Sequence, residues 1–223
     1  MTRSIAAGRI PRLVLVAALA LALGGLALVL APGSHSNHST VSAASRADRW
    51  QLHDSMRQLW EDHIVWTRMA IISIVDERPD QTVAVNRLLQ NQVHIGDAIK
   101  PFYGEAAGDA LTGLLQEHIV GAAVLLDAAK TGVGFDEAKE AWYANGDEIG
   151  AFLAHANPRS WDRGEMQAMM ADHLDLTLAE AVARLGGDYD ADIAAYDQIH
   201  GQILHMADML TDGIVAQFPA RFR

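Results

Sequence analysis

Three histidines recur at one fixed interval along the chain. His63, His118 and His173 each follow two apolar residues at three and four positions before the ring, and each directly follows an acidic residue. Residues three or four positions apart lie on the same side of a helix, so each ring is expected on a buried helix face. Three imidazoles on three equivalent faces are a suitable ligand set for a divalent transition metal. The repeat therefore predicts a metal site.

A weaker pattern follows each of these histidines and suggests additional ligands. Asn or Asp precedes a second potential ligand by three residues in each copy: Asn91 and His94, Asn145 and Glu148, Asp197 and His200. A spacing of three places both members of a pair on one helix face. We therefore predict Glu148, His94 and His200 as further metal ligands.

The same pattern suggests residues that hold the ligands in place. Asn91, Asn145 and Asp197 are predicted to support the histidine rings by hydrogen bonds, as residues around metal ligands commonly do. Thr67 and Thr177 lie one helical turn after His63 and His173 and are predicted to serve likewise. The acids next to the three histidines point about 100° away on a helix and are not expected to be ligands.

The residue pattern leaves the metal and its use open. Zinc, iron, manganese and copper all accept histidine and carboxylate ligands. The favoured role is metal binding, sensing or storage. One alternative is a metal-dependent enzyme, a hydrolase or an oxidoreductase, that uses Glu148 as general base. Another is a metal-free structural or partner-binding bundle, in which the histidines are hydrogen-bonded core residues copied with an ancestral hairpin.

Composition excludes several functional classes. The chain has no cysteine, so it cannot form disulfides, thiolate metal sites or cysteine nucleophiles. It contains no glycine-rich phosphate loop, no G-x-S-x-G motif and no H-E-x-x-H motif. The only charges before residue 45 are Arg3, Arg9 and Arg12, which leaves 14 basic against 28 acidic residues in the rest. We therefore expect no nucleic-acid partner, because no basic surface is available for phosphates.

The elements that must position these residues are helices. From residue 46 onward, apolar residues recur at three and four positions, and Gly or Pro interrupts the pattern at regular intervals. The predicted helices span about 49–75, 81–99, 106–130, 136–156, 161–185 and 191–217. The three histidines fall in the first, third and fifth of them. We therefore predict an all-α helical bundle of three helical hairpins, each a repeat of about 55 residues.

The N-terminal region has a different character. Residues 1–31 are predicted to be a signal anchor or a signal peptide with a hydrophobic helix, because Leu13–Ala31 carries no charge and follows two arginines. Residues 32–45, rich in Ser, Gly and His, are predicted to be a flexible linker, and residues 46–223 the helical-bundle domain. Positive charge before the apolar segment predicts an extracytoplasmic domain tethered to the cytoplasmic membrane by residues 13–31, or secreted if the leader is cleaved.

Four stretches of the chain resemble an uncharacterised family of bacterial all-helical proteins. They are LWEDHIVWTRMAIIS, NRLLQNQVHIGDAIKPFYG, WYANGDEIGAFL and MADMLTDGIVAQFP, and the resemblance covers residues 48–222. It includes the three repeated histidines, Asn145 and Glu148, whereas the family is more often acidic at positions 94 and 200. Family members often carry transferred names such as acetylglutamate kinase or glycosyltransferase. This chain lacks the phosphate-binding loops and α/β pattern that such activities require.

Overall fold

Helices account for all regular structure in the part of the chain that the structure describes. The computed structural model describes the backbone of residues 37–223 and the side chains of residues 48–223. The helices are α1 (Asn37–Val75), α2 (Gln81–Tyr103), α3 (Glu105–Thr131), α4 (Phe135–Ala156), α5 (Arg163–Gly186) and α6 (Tyr189–Gln217), followed by a short 3₁₀ turn (Pro219–Phe222). The prediction of an all-α bundle is confirmed. The apolar N-terminal segment lies outside the described residues.

The first helix is longer than predicted. It begins at Asn37, so residues 37–45 of the predicted flexible linker are helical, while residues 32–36 lie outside the described range. The sequence contains neither Gly nor Pro between Asn37 and Val75, and nothing in it interrupts the hydrogen-bond ladder of a helix. The other helix boundaries fall within a few residues of the predictions, except that α2 continues past Pro101 to Tyr103.

Helix ends coincide with residues that satisfy free backbone groups. The carboxylate of Asp162 accepts hydrogen bonds from the backbone N–H of Gly164 (2.8 Å) and of Glu165 (3.1 Å) at the start of α5. Gly132 and Gly187 end α3 and α5 in the left-handed conformation, with φ of 72° and 74°. Glycine adopts such φ values without steric cost, which allows the chain to leave the helix at these two positions.

The six helices form a closed ring with three of them near its axis. Each helix packs against the next one along the chain, and α6 returns to pack against α1. Helices α1, α3 and α5 also contact one another. The central positions therefore belong to the three histidine-bearing helices. Among the described residues, only α3 is long and apolar enough to cross a membrane by length and composition, and here it packs between α2 and α4.

Two glycines allow α2 and α3 to approach each other closely. A Cβ atom on Gly96 would lie 2.0 Å from the Oγ1 of Thr112 and 2.5 Å from the carbonyl oxygen of Gly108. A Cβ atom on Gly108 would lie 2.7 Å from the carbonyl oxygen of Gly96. Because one obstacle in each case is backbone, larger residues would push the two helices apart.

A buried ion network joins the first helix to the last two. The Nη1 of Arg68 on α1 lies 2.6 Å from a carboxylate oxygen of Glu180 on α5 and 2.6 Å from one of Asp192 on α6. Arg184 also pairs with Asp192, at 3.6 Å. Burial raises the pKa of Glu180 to about 7, although the Arg68 charge acts in the opposite direction. The network therefore holds the seam at which the ring of helices closes.

Candidate metal centre

The three repeated histidines meet on the bundle axis. His63, His118 and His173 lie on α1, α3 and α5, and each is 2–3 % exposed. The ring centroids of His63 and His173 are 5.7 Å apart, and those of His118 and His173 are 6.3 Å apart. We call these three side chains the His triad. The convergence follows from the apolar residues around each histidine, which turn the same side of each central helix inward.

Two histidines are held by side-chain amides from the outer helices. The Nδ1 of His118 lies 3.1 Å from the Oδ1 of Asn145, and the amide nitrogen of Asn145 donates to the carbonyl oxygen of Leu114 at 3.1 Å. Because this second bond fixes which end of the amide faces the ring, the Nδ1 of His118 must carry the hydrogen. The Nε2 of His118 is therefore an unprotonated lone pair.

His173 is held in the same way. The Nδ1 of His173 lies 3.3 Å from the Oε1 of Gln202, whose amide nitrogen donates to the carbonyl oxygen of Met169 at 3.1 Å. Leu114 and Met169 both stand four residues before their histidine. An outer-helix amide thus anchors to the same backbone carbonyl in both cases and presents its oxygen to the ring.

The surroundings of His63 differ. The amide nitrogen of Gln92 lies 2.9 Å from the carbonyl oxygen of Leu88, 3.1 Å from the Oδ1 of Asn91 and 3.2 Å from the Nδ1 of His63. Asn91 is fixed in turn, since its own amide nitrogen donates to the carbonyl oxygen of Leu59 at 3.0 Å. An NH₂ group therefore faces Nδ1 of His63, and that nitrogen cannot donate. In its neutral form, His63 carries the hydrogen on Nε2.

All three rings are uncharged at neutral pH. Burial lowers the pKa of His118 to about 3 and that of His173 to about 4. Burial also lowers the pKa of His63 well below its ordinary value, and the neighbouring rings of the triad add to the effect. A positive charge would have to leave water for an apolar site next to two further rings. Neutral imidazole is the form that binds metals.

The Nε2 atoms of the triad have no hydrogen-bond partner among the described residues. The triad also lines one end of a cavity of about 40 Å³. A second cavity of about 40 Å³ shares Thr67, Ile71, Ala122, Leu126, Trp142 and Thr177 with the first. We call the two connected cavities the chamber. The rings thus have free nitrogens and an adjoining internal space.

Three residues form a layer of the chamber one turn beyond the triad. Thr67 and Thr177 each donate a hydrogen bond of 2.8 Å to the carbonyl oxygen of the histidine four residues earlier. Their hydroxyls thus bond to the backbone rather than to the rings. The predicted hydrogen bonds from Thr67 and Thr177 to the histidine rings are therefore not observed. Ala122 occupies the corresponding position on α3 and leaves more space.

Trp142 separates the triad from the outside of the bundle. Its ring stacks on that of His118 at a centroid distance of 5.2 Å, and its Nε1 donates to the carbonyl oxygen of His118 at 3.1 Å. A Cβ atom on Gly121 would lie 3.1 Å from this indole, so the small residue makes room for it. On its other side, Trp142 lines a surface groove together with Glu148 and Asn145.

The structure does not bring the other three predicted ligands to the triad. His94 is exposed and lies next to Gln90, and His200 pairs with Glu61 at 3.0 Å on the surface. Glu148 is exposed in the groove beyond Trp142. The reason is helix rotation, because His94 and His200 each lie two residues, about 200°, from the amide that points inward.

Of the three predicted supporting residues on the outer helices, two act on the triad and one does not. Asn145 holds His118 as expected, and Asn91 acts on His63 through Gln92. Asp197 is exposed and does not contact the triad. Gln92 and Gln202 were not predicted, although each follows its histidine by 29 residues, and this shared interval is the signal that could have identified them.

The triad is wider than a tetrahedral metal site. Within residues 48–223, no three His, Asp or Glu side chains stand close enough to form a metal-binding group as they are. An ion at about 2.0–2.1 Å from each Nε2 would hold the ring centroids about 5.2 Å apart. The distances from His173 to the other two rings, 5.7 and 6.3 Å, would therefore have to shorten by about 0.5 to 1 Å.

Comparisons with known proteins give no guide to the function. Family models, curated proteins and solved structures contain no match to this chain. The resemblance to an uncharacterised bacterial family therefore stays a prediction. Any assignment of chemistry to this chain rests on the geometry of the triad and the chamber.

Proposed function

We propose that the His triad binds one divalent transition-metal ion through the Nε2 atoms of His63, His118 and His173. The observation that carries the proposal is the meeting of three buried, uncharged imidazoles whose Nε2 atoms have no other partner among the described residues. Nitrogen ligands of this kind suit zinc, iron, manganese or copper. Three protein ligands leave a further coordination position, and the chamber adjoins it.

The amides around the triad support this assignment unequally. Asn145 and Gln202 accept a hydrogen bond from Nδ1 and so leave Nε2 of His118 and His173 with an unprotonated lone pair. His63 can offer its Nε2 lone pair only if Nδ1 carries a hydrogen, and the NH₂ group of Gln92 opposes that form. We therefore propose His118 and His173 as the strong ligands. His63 joins them after the amide of Gln92 rotates.

The role that fits this site is metal binding, sensing or storage. No contact supports the alternative of an enzyme with Glu148 as general base, because that carboxylate lies in the outer groove beyond Trp142 and not beside the triad.

We also propose that the domain arose from three hairpin repeats and is tethered outside the cytoplasm. The repeat is supported by amides that bond to Leu59, Leu114 and Met169, each four residues before a histidine. The tether is supported by sequence alone.

A second candidate is a metal-free structural bundle, and the orientation of Gln92 favours it. With Nε2–H on His63 and free lone pairs on His118 and His173, the triad offers one donor and two acceptors. One water molecule can accept the first hydrogen bond and donate the other two. The triad would then be a hydrated core element whose role is to hold α1, α3 and α5 together.

Metal content distinguishes the two candidates. The full chain is purified without chelator, incubated with zinc, iron(II), manganese or copper, desalted and measured by elemental analysis. The metal proposal predicts about one ion per chain, its loss in the double variant His118→Ala/His173→Ala, and its retention in His94→Ala, which changes an exposed histidine. Native protein that retains no metal after every incubation would refute the metal site and favour the structural bundle.

A further inference from the structure

We infer that the chamber beside the His triad binds a small, uncharged, weakly polar molecule, of the size and chemistry of dioxygen or nitric oxide. Binding inside the chamber depends only on the space and its lining. Coordination of that molecule to an ion at the triad would in addition rest on the proposed function. The two steps can therefore be tested separately.

The chamber exists because small residues interrupt the layers along the axis. Positions related by the same interval as the three histidines form two layers beyond the triad. The first contains Thr67, Ala122 and Thr177, and the second contains Ile71, Leu126 and Ala181. In each layer one alanine stands where the other two helices carry a larger side chain. Ala122 and Ala181 thus leave unfilled volume on the axis that a tightly packed bundle would close.

The lining selects against charged ligands. No Asp, Glu, Lys or Arg side chain lines either cavity of the chamber. Apart from the triad, its hydrogen-bonding side-chain groups are the hydroxyls of Thr67 and Thr177, whose hydrogens are already donated to backbone carbonyls, and the indole N–H of Trp142, donated likewise. An ion or a strongly hydrated molecule would lose its water without compensation there. Each cavity, at about 40 Å³, exceeds the roughly 10–15 Å³ that one water molecule needs, and apolar cavities bind small neutral guests such as xenon.

One end of the chamber leads towards solvent. The second cavity extends past Ala181 to Leu185 and Val182, and Val182 is 51 % exposed. The opposite end is closed by the rings of the triad and by Trp142. A small molecule that enters beside Val182 therefore reaches the rings of the triad without crossing a charged surface. This order of groups, with an apolar path ending at three uncharged imidazole rings, indicates a delivery route to the triad.

Xenon is the probe for the chamber, because it is uncharged, small and needs no metal. The full chain is freed of metal with a chelator, and xenon binding is followed by ¹²⁹Xe NMR over a range of xenon pressures. The inference predicts a saturable chemical-shift change in the native protein. It also predicts loss of that change in Ala122→Leu and in Ala181→Leu, which fill the two layers. Ala110→Leu, an exposed position on α3, is the control and should retain it.

Each outcome bears on one proposal only. If a leucine variant loses its cooperative thermal transition, the smaller change Ala122→Val replaces it and should weaken xenon binding several-fold. A native protein without a saturable xenon effect would overturn the inference, as would full binding in folded variants with filled layers. Xenon binding in a protein that retains no metal would support the chamber and refute the metal site alone. Metal binding without xenon binding would support the metal site and refute the chamber alone.

Discussion

Stability of the metal-free protein should fall steeply as pH decreases from 7.5 to 5, and the His triad should be one cause. Burial lowers the pKa of His118 from 6.5 to about 3. Between these two pKa values the unfolded chain binds a proton that the folded chain rejects, so stability decreases as pH falls through this window. At pH 5, the difference amounts to about 2 kcal/mol for this single ring.

The assay compares the native protein with His118→Phe, which keeps a ring but cannot titrate. Urea unfolding at pH 7.5 and at pH 5 gives a free energy of unfolding for each protein at each pH. The variant loses a hydrogen bond at both pH values, so that cost cancels in the difference. Titrating groups outside the triad, Glu180 included, cancel in the same way. The native protein should lose about 2 kcal/mol more than the variant over this range.

A neighbouring substitution provides the control for this experiment. Ile119→Val removes one buried methyl group beside His118 and costs about 1 kcal/mol at every pH, without changing the pH dependence. Equal losses in the native protein and in His118→Phe would contradict the description of His118 as a buried neutral ring. A larger loss in the variant than in the native protein would contradict it as well.

Three further predictions concern packing, the ion network and the amides. Gly96→Ala should cost about 2 kcal/mol or more in urea unfolding, because its Cβ would meet α3 at 2.0 Å, whereas Gly113→Ala, with no neighbour within 4 Å, should stabilise by several tenths of a kcal/mol. Arg68→Met should cost about 3 kcal/mol, since it leaves the buried carboxylate of Glu180 without a partner and that of Asp192 with only the more distant Arg184, and its melting temperature should fall further than that of Arg57→Met at the surface. Asn145→Ala should weaken metal affinity about 10- to 100-fold in a titration, and unchanged affinity would show that this amide does not support a ligand.

The histidine repeat allowed the centre of the fold to be predicted. Each of the three rings comes with apolar residues three and four positions away, and that local pattern was sufficient to predict helices that turn the rings inward. The helix ends were predictable as well, because Gly and Pro residues mark most of them. Sequence spacing along a single helix determines these features, so no knowledge of the packing between helices was needed.

The side chains that face inward from the outer helices α2, α4 and α6 were predicted less well, because the rotation of these helices depends on packing across the bundle. The pattern of an amide or acid three residues before a potential ligand predicted Asp197, whereas the residue that faces His173 is Gln202. The contact between Arg68 and Asp192 joins residues 124 positions apart. It has no counterpart in the other hairpins, so the sequence repeat could not predict it. The chamber was not predictable either, since it arises where Ala122 and Ala181 interrupt layers formed by three different helices.

The most direct test of the metal site is X-ray absorption spectroscopy of the zinc-loaded full chain. The proposed function predicts a first coordination shell with three imidazole nitrogens at about 2.0–2.1 Å, and loss of that shell in His118→Ala/His173→Ala. A shell made only of oxygen atoms, or a nitrogen shell that persists in the double variant, would contradict metal binding by His63, His118 and His173.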